Sequence, residues 1–130
     1  MKHNRVALFV LLAFLVGMTA CPKAVVTAKQ TAVAVHEAWP LVQMAFATAY
    51  KNQSITEAQW QQFVEIDKKV IAAQNTLVDA LKLYEAAKSA GIENRDDLAK
   101  IILLQNELQA LYQQAIALAG TFGLSMGGVR

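Results

Sequence analysis

The sequence predicts an all-α fold: an elongated antiparallel up-down-up three-helix bundle set behind an apolar leader. Three observations carry that expectation. Apolar residues step by three and four along three separate stretches, the period of a single helix face. Two short polar turns separate those stretches, one at Lys51-Asn52-Gln53-Ser54 and one at Glu93-Asn94-Arg95-Asp96-Asp97. No strand-like alternation of apolar and polar residues competes between them.

The first helix is expected over about 25–52. Ala28, Ala32, Val35, Trp39, Val42, Phe46 and Ala49 fall along one seam. Val25, Val26 and Val33 are β-branched and lower helix propensity somewhat. Pro40 lacks an N–H, and its ring crowds the carbonyl of His36, so a kink is expected near Trp39. That kink reads either as a hinge or recognition elbow, or as a bend that wraps the helix around its neighbours.

The second helix is expected over about 56–90 and carries the strongest local signature. Thr56 as N-cap with Gln59 at the third helical position makes a capping box. Ile55 before the cap and Trp60 at the fourth position make a hydrophobic staple. Phe63, Ile66, Val70, Ala73, Leu77, Ala80, Tyr84 and Ala87 then hold the seam without a miss. Val64, Ile71, Val78 and Leu81 widen the apolar stripe, so this helix should touch two neighbours. At about 1.5 Å per residue it spans roughly 50 Å. Gly91 is suited to the left-handed conformation that ends helices, with Ile92 packing back.

The third helix is expected over about 95–119. Asn94 is its N-cap, and Asp96 and Asp97 complement the positive helix end. Ile101, Leu104, Leu108, Leu111, Ala115, Leu118 and Phe122 form the seam, flanked by Ile102, Tyr112 and Ala119. Gly120, Gly123, Gly127 and Gly128 predict fraying after Leu118 and a flexible tail over 120–130.

Ahead of the bundle, Lys2 and Arg5 precede an apolar run from Val6 to Met18. That run is shorter than the roughly 20 residues a membrane span needs, and suits the apolar region of a cleaved secretion signal. Leu15-Val16-Gly17-Met18-Thr19-Ala20-Cys21 resembles the lipobox of bacterial lipoproteins, in which small residues precede an obligatory cysteine. The match departs at Met18, where the family prefers Leu; Met is apolar and of similar volume. The resemblance implies a signal peptide over 1–20, cleavage between Ala20 and Cys21, thioether diacylglycerol on Cys21, and a fatty acid such as palmitate on the new amine. It makes 21–24 a lipidated anchor and short linker. The other readings of the leader are an uncleaved membrane anchor, or an ordinary signal cut near Ala20 that leaves a free thiol. Cys21 is the only cysteine, and a lone thiol in an exported protein is anomalous; lipidation removes the anomaly.

Processing would also change the charge. The chain has 12 Lys+Arg and 10 Asp+Glu, and losing Lys2 and Arg5 leaves the mature part near neutral. A near-neutral chain lacks the basic stripe that nucleic-acid binding requires. Attachment to a membrane would then come from acyl chains, two or more of which hold stably. Within the lipoprotein class an Asp after the cysteine commonly marks inner-membrane retention. Pro22 stands there instead, which points to the outer membrane, facing the periplasm.

The sequence is poor in chemistry. His36 is the only histidine beyond the leader, so no zinc spacing exists, and no serine sits in a Gly-flanked nucleophile turn. His36 reads as a surface helix residue. Glu65, Asp67, Lys68 and Lys69 read as a solvated face with Glu65–Lys69 as an i,i+4 pair. Trp39, Trp60, Tyr84 and Tyr112 read as core or as the lining of a ligand groove. Gln59, Gln61, Gln62, Gln105, Gln109, Gln113 and Gln114 decorate helix faces. No metal and no cofactor are expected.

The resulting expectation is a non-enzymatic, lipid-anchored helical interaction module of the cell envelope. It would bind a protein partner, or itself, through its helix faces. Lipoproteins of phage or mobile elements, and of envelope maintenance, share this build as a class. One alternative is a structural spacer resembling the major outer-membrane lipoprotein, although that protein ends in a lysine and this chain ends Gly127-Gly128-Val129-Arg130. Another is a carrier of a small apolar ligand.

Overall fold

The computed structural model describes residues 23–92 and 95–124. The leader, Ala20, Cys21, Asn94 and the glycines Gly127 and Gly128 lie outside the described residues. What is described is all-helical: α1 (Lys23–Lys51), α2 (Glu57–Ser89) and α3 (Arg95–Thr121), with no strand among the described residues. Each helix packs against both others.

Helix α1 starts two residues earlier than its β-branched opening suggests. Val25 is completely buried, and burial of an apolar side chain outweighs a propensity penalty of a few tenths of a kcal/mol. All seven seam residues from Ala28 to Ala49 are buried. Pro40 lies inside the helix, which continues unbroken to Lys51.

The capping box at α2 is complete. Thr56 Oγ1 accepts from the Gln59 backbone N–H at 3.1 Å, and Gln59 Oε1 accepts from the Thr56 N–H at 2.8 Å. Ile55 before the cap is buried. Of the residues expected to widen the stripe, Leu81 is buried and Val64 and Val78 are half-buried, but Ile71 is 44% exposed. On α3, Ile102 is similarly left 40% exposed. Both fall outside the arc that two neighbouring helices can cover.

All three helices end in the same Schellman arrangement, in which two backbone N–H groups turn back onto the last turn's carbonyls. The left-handed residues are Gln53 (φ 60°), Gly91 (φ 78°) and Gly123 (φ 71°). The six-residue bonds run from Ser54 N–H to Ala49, Ile92 to Ala87 and Leu124 to Ala119, each 2.8 Å. Two corrections follow. Ile92 does not pack back and is 61% exposed. Helix α3 does not fray at Leu118: it holds to Thr121, and Phe122 and Leu124 pack against the core.

Contacts between helices follow a consistent order. Climbing α1, Lys29 meets Glu85, the Ala32 carbonyl meets Gln74, Trp39 and Gln43 meet Asp67, and Tyr50 meets Glu57. Against α3 the numbers rise together: Thr31 with Gln105, Trp39 with Tyr112, Phe46 with Phe122.

Candidate functional site

The polar residues at the helix contacts were not legible as a set, and they form two groups. The first lies in the opening turns of α1. Lys29 is only 1% exposed, and its Nζ stands 3.2 Å from Glu85 Oε1 of α2. Two residues on, Thr31 Oγ1 donates to the Thr27 carbonyl at 3.0 Å and accepts from Gln105 Nε2 at 3.2 Å and Gln109 Nε2 at 3.4 Å. Gln105 is buried and ties α3 to α1, while Gln109, on the exposed face, reaches the same hydroxyl at longer range.

The second group surrounds Pro40. Asp67 Oδ1 accepts from Trp39 Nε1 at 2.9 Å and from Gln43 Nε2 at 2.8 Å, so this carboxylate pins α2 to α1 rather than facing water. Glu65 pairs with Lys68 at 3.6 Å, in place of the expected Lys69; both side chains are exposed, and such a pair contributes little. Gln74 Nε2 donates to the Ala32 carbonyl at 2.8 Å, while its Oε1 is buried without a partner.

Beside these bonds runs a groove of about 290 Å³ between α1 and α2. His36, Trp39, Pro40 and Gln43 line one wall, and Ile71, Gln74 and Asn75 the other, above Val35 and Val70. Its polar lining is mixed, since the amides of Gln43, Gln74 and Asn75 carry donors as well as acceptors. Pro40 has no N–H to offer the His36 carbonyl, and His36 is the one imidazole in the lining. No hydroxyl, thiol or carboxylate lines the groove, so it offers surface for a small amphiphile but no nucleophile with a base. Among the described residues no three His, Cys, Asp or Glu side chains gather to hold a metal ion. No helix among them is long and apolar enough to cross a membrane.

The aromatic residues concentrate elsewhere, at the turn between α1 and α2. Phe46 stacks on Phe63 with centroids 4.1 Å apart and planes 9° from parallel, and Phe122 meets Phe46 edge-on at 6.1 Å. Tyr50 stacks on Trp60 at 4.9 Å, and Trp60 leans on Phe63 at 5.6 Å. Trp39 and Tyr84 are buried; Trp60 and Tyr112 are half-buried. Trp39 alone of the four serves both expected roles, packing into the core and walling the groove.

Two titrations are moved by local contacts. Tyr50 Oη donates to Glu57 Oε2; that bond, and one from Gln61, hold the Glu57 carboxyl below the usual carboxylate range. The same bond and the adjacent negative charge push the Tyr50 hydroxyl up. Burial raises the Tyr112 hydroxyl.

Compared with known proteins, the chain matches no family model, no curated protein and no solved structure.

Proposed function

We propose that this protein is a lipid-anchored envelope lipoprotein whose mature part is a non-enzymatic helical interaction module. In this reading the leader over 1–20 is removed between Ala20 and Cys21. Acyl chains on Cys21 hold the protein in a membrane, the outer one by the lack of an Asp after the cysteine, with the bundle in the periplasm. The bundle is an antiparallel up-down-up rod. The contact order supports that path, since α2 numbers fall and α3 numbers rise as α1 is climbed.

The observation that carries the proposal is the leader sequence ending in Ala20-Cys21 only two residues before α1 begins at Lys23. The test is fractionation of cells making the wild-type chain or Cys21→Ser, with labelled fatty acid in the medium. Label on the wild type alone, and loss of the variant from salt- and carbonate-washed membranes, is the expected result. A variant that still sediments with the envelope would overturn the reading.

Carriage of a small ligand has one observation in its favour, the groove beside Pro40. Native mass spectrometry of the purified protein decides between the two: a carrier retains a bound molecule, and a packed rod does not.

A further inference from the structure

The apolar side chains left outside the core are not spread evenly. Among the described residues three of the four large apolar side chains more than three-fifths exposed are Leu83 (69%), Ile92 (61%) and Leu103 (69%), the fourth being Met44 (61%). Leu83 and Leu103 sit two residues before Glu85 and Gln105, the partners of Lys29 and Thr31. Ile92 lies in the turn that joins α2 to α3. All three therefore stand level with the opening turns of α1, whereas Met44 stands level with the aromatic end.

That end is also where the anchor would be. In the processed chain only Cys21 and Pro22 would precede Lys23, a tether of roughly 7 Å at full extension. Lys29 lies about 9 Å along α1 from Lys23 at the helical rise per residue. Acyl chains seated in a leaflet would draw this end of the bundle, Ile92 first, then Leu103 and then Leu83, toward the headgroup layer, where surface helices bury apolar faces about 5–10 Å deep. Lys82, Arg95 and Lys100 are exposed at the same end. Their apolar stems can lie along neighbouring leucines while the charged heads reach phosphates.

We propose that the end of the bundle where α1 begins, with Leu83, Ile92 and Leu103, is a second membrane contact that seats in the headgroup–acyl boundary of a lipid bilayer. The contact fixes how the bundle stands on the membrane, leaving the aromatic end and the groove facing away. It rests on acylation of Cys21.

The test uses the full chain, processed in cells and reconstituted into vesicles of phosphatidylethanolamine and phosphatidylglycerol. Leu103→Cys, Ile92→Cys and Met44→Cys each carry a thiol-linked environment-sensitive dye, and nitroxide lipids quench it. The positions are exposed, and helix content by circular dichroism checks that each variant folds. Quenching at 103 and 92 several-fold stronger than at 44, with blue-shifted emission, is the expected result. Equal, water-like emission at all three positions while the protein still floats with the vesicles would overturn the contact and spare the anchor. Protection that vanishes as the protein is diluted with lipid would assign the surface to a second copy of the chain and also overturn it. Uptake of dye by the unsubstituted chain would show Cys21 to be a free thiol, and then the anchor itself fails.

Discussion

The two ends of this bundle are held together by different chemistry. At the α1–α2 turn, Phe46, Phe63, Trp60, Tyr50 and Phe122 form a continuous run of ring contacts. At the other end the contacts within the bundle include a buried ammonium on a carboxylate and a hydroxyl shared by two amides. Ring packing removes large apolar areas from water, and aromatic pairs add to that. A buried ion pair gains little net free energy, because desolvation offsets attraction, yet it strongly penalises any arrangement that leaves one partner alone. The aromatic end should therefore supply stability, and the polar end should select which residues face one another.

Phe63→Ala tests the stronger side of that comparison. Phe63 touches Phe46, Trp39 and Trp60, and its removal should cost about 3–5 kcal/mol, read as a fall in the urea midpoint at unchanged slope. A loss under about 1 kcal/mol would mean that the rings do not carry the fold.

Glu85→Ala should cost up to about 3 kcal/mol by removing the carboxylate that stands 3.2 Å from the buried Lys29 ammonium. Lys29→Met with Glu85→Leu should be neutral or more stable by about 1–4 kcal/mol. If the double variant is instead as weak as Glu85→Ala, the pair contributes stability outright and the contrast between the ends fails.

The helix ends offer smaller and opposite effects. Gly91→Ala and Gly123→Ala each meet open space, so only the left-handed backbone resists them, at about 1 kcal/mol. Gln53 already bears that strain at φ 60°. Gln53→Gly should raise stability by up to about 1 kcal/mol, and thermal midpoints should move in opposite directions for the two kinds of change.

The smallest effect is electrostatic and belongs to the aromatic end. Glu57's lowered pKa stabilises the fold above the ordinary carboxylate range, and the effect is lost as pH falls through the lowered value. Tyr50's raised pKa contributes below the ordinary tyrosine range, and that is lost as pH rises through the raised value. The Tyr50–Glu57 bond is thus complete only between the two. Tyr50→Phe should shift the Glu57 carboxyl upward in an NMR titration with little change in neutral-pH stability, because the pair is exposed. An unmoved Glu57 would mean that the bond does not persist in solution.

Much of the helical frame could be read from residue spacing. The seam of α1, the capping box at Thr56 and the stop at Gly91 follow from local chemistry that needs no neighbour. Spacing marks the polar contacts as well. Asp67 sits four residues after Phe63 and three before Val70, Gln74 four after Val70 and three before Leu77, and Gln105 four after Ile101 and three before Leu108. Lys29 stands likewise between Val25 and Ala32. Polarity alone suggests solvent for Asp67, whereas the place of all four on the seams puts them between helices. The groove had a weaker trace, since Pro40 frees a carbonyl but cannot say what faces it.

Taken alone, the order of residues determined three helices, the stops at Lys51 and Gly91, and which stripe of each is apolar, because those depend on backbone hydrogen bonding and a 3.6-residue period. Tertiary structure decided the rest. It chose Glu85 for Lys29, Asp67 for Trp39, and Gln105 for Thr31, and it left Ile71 and Ile102 in water. The physical reason is that a stripe specifies a direction around its own axis, while partnership depends on which helices lie alongside and at what height. That height is set only when the axes come together.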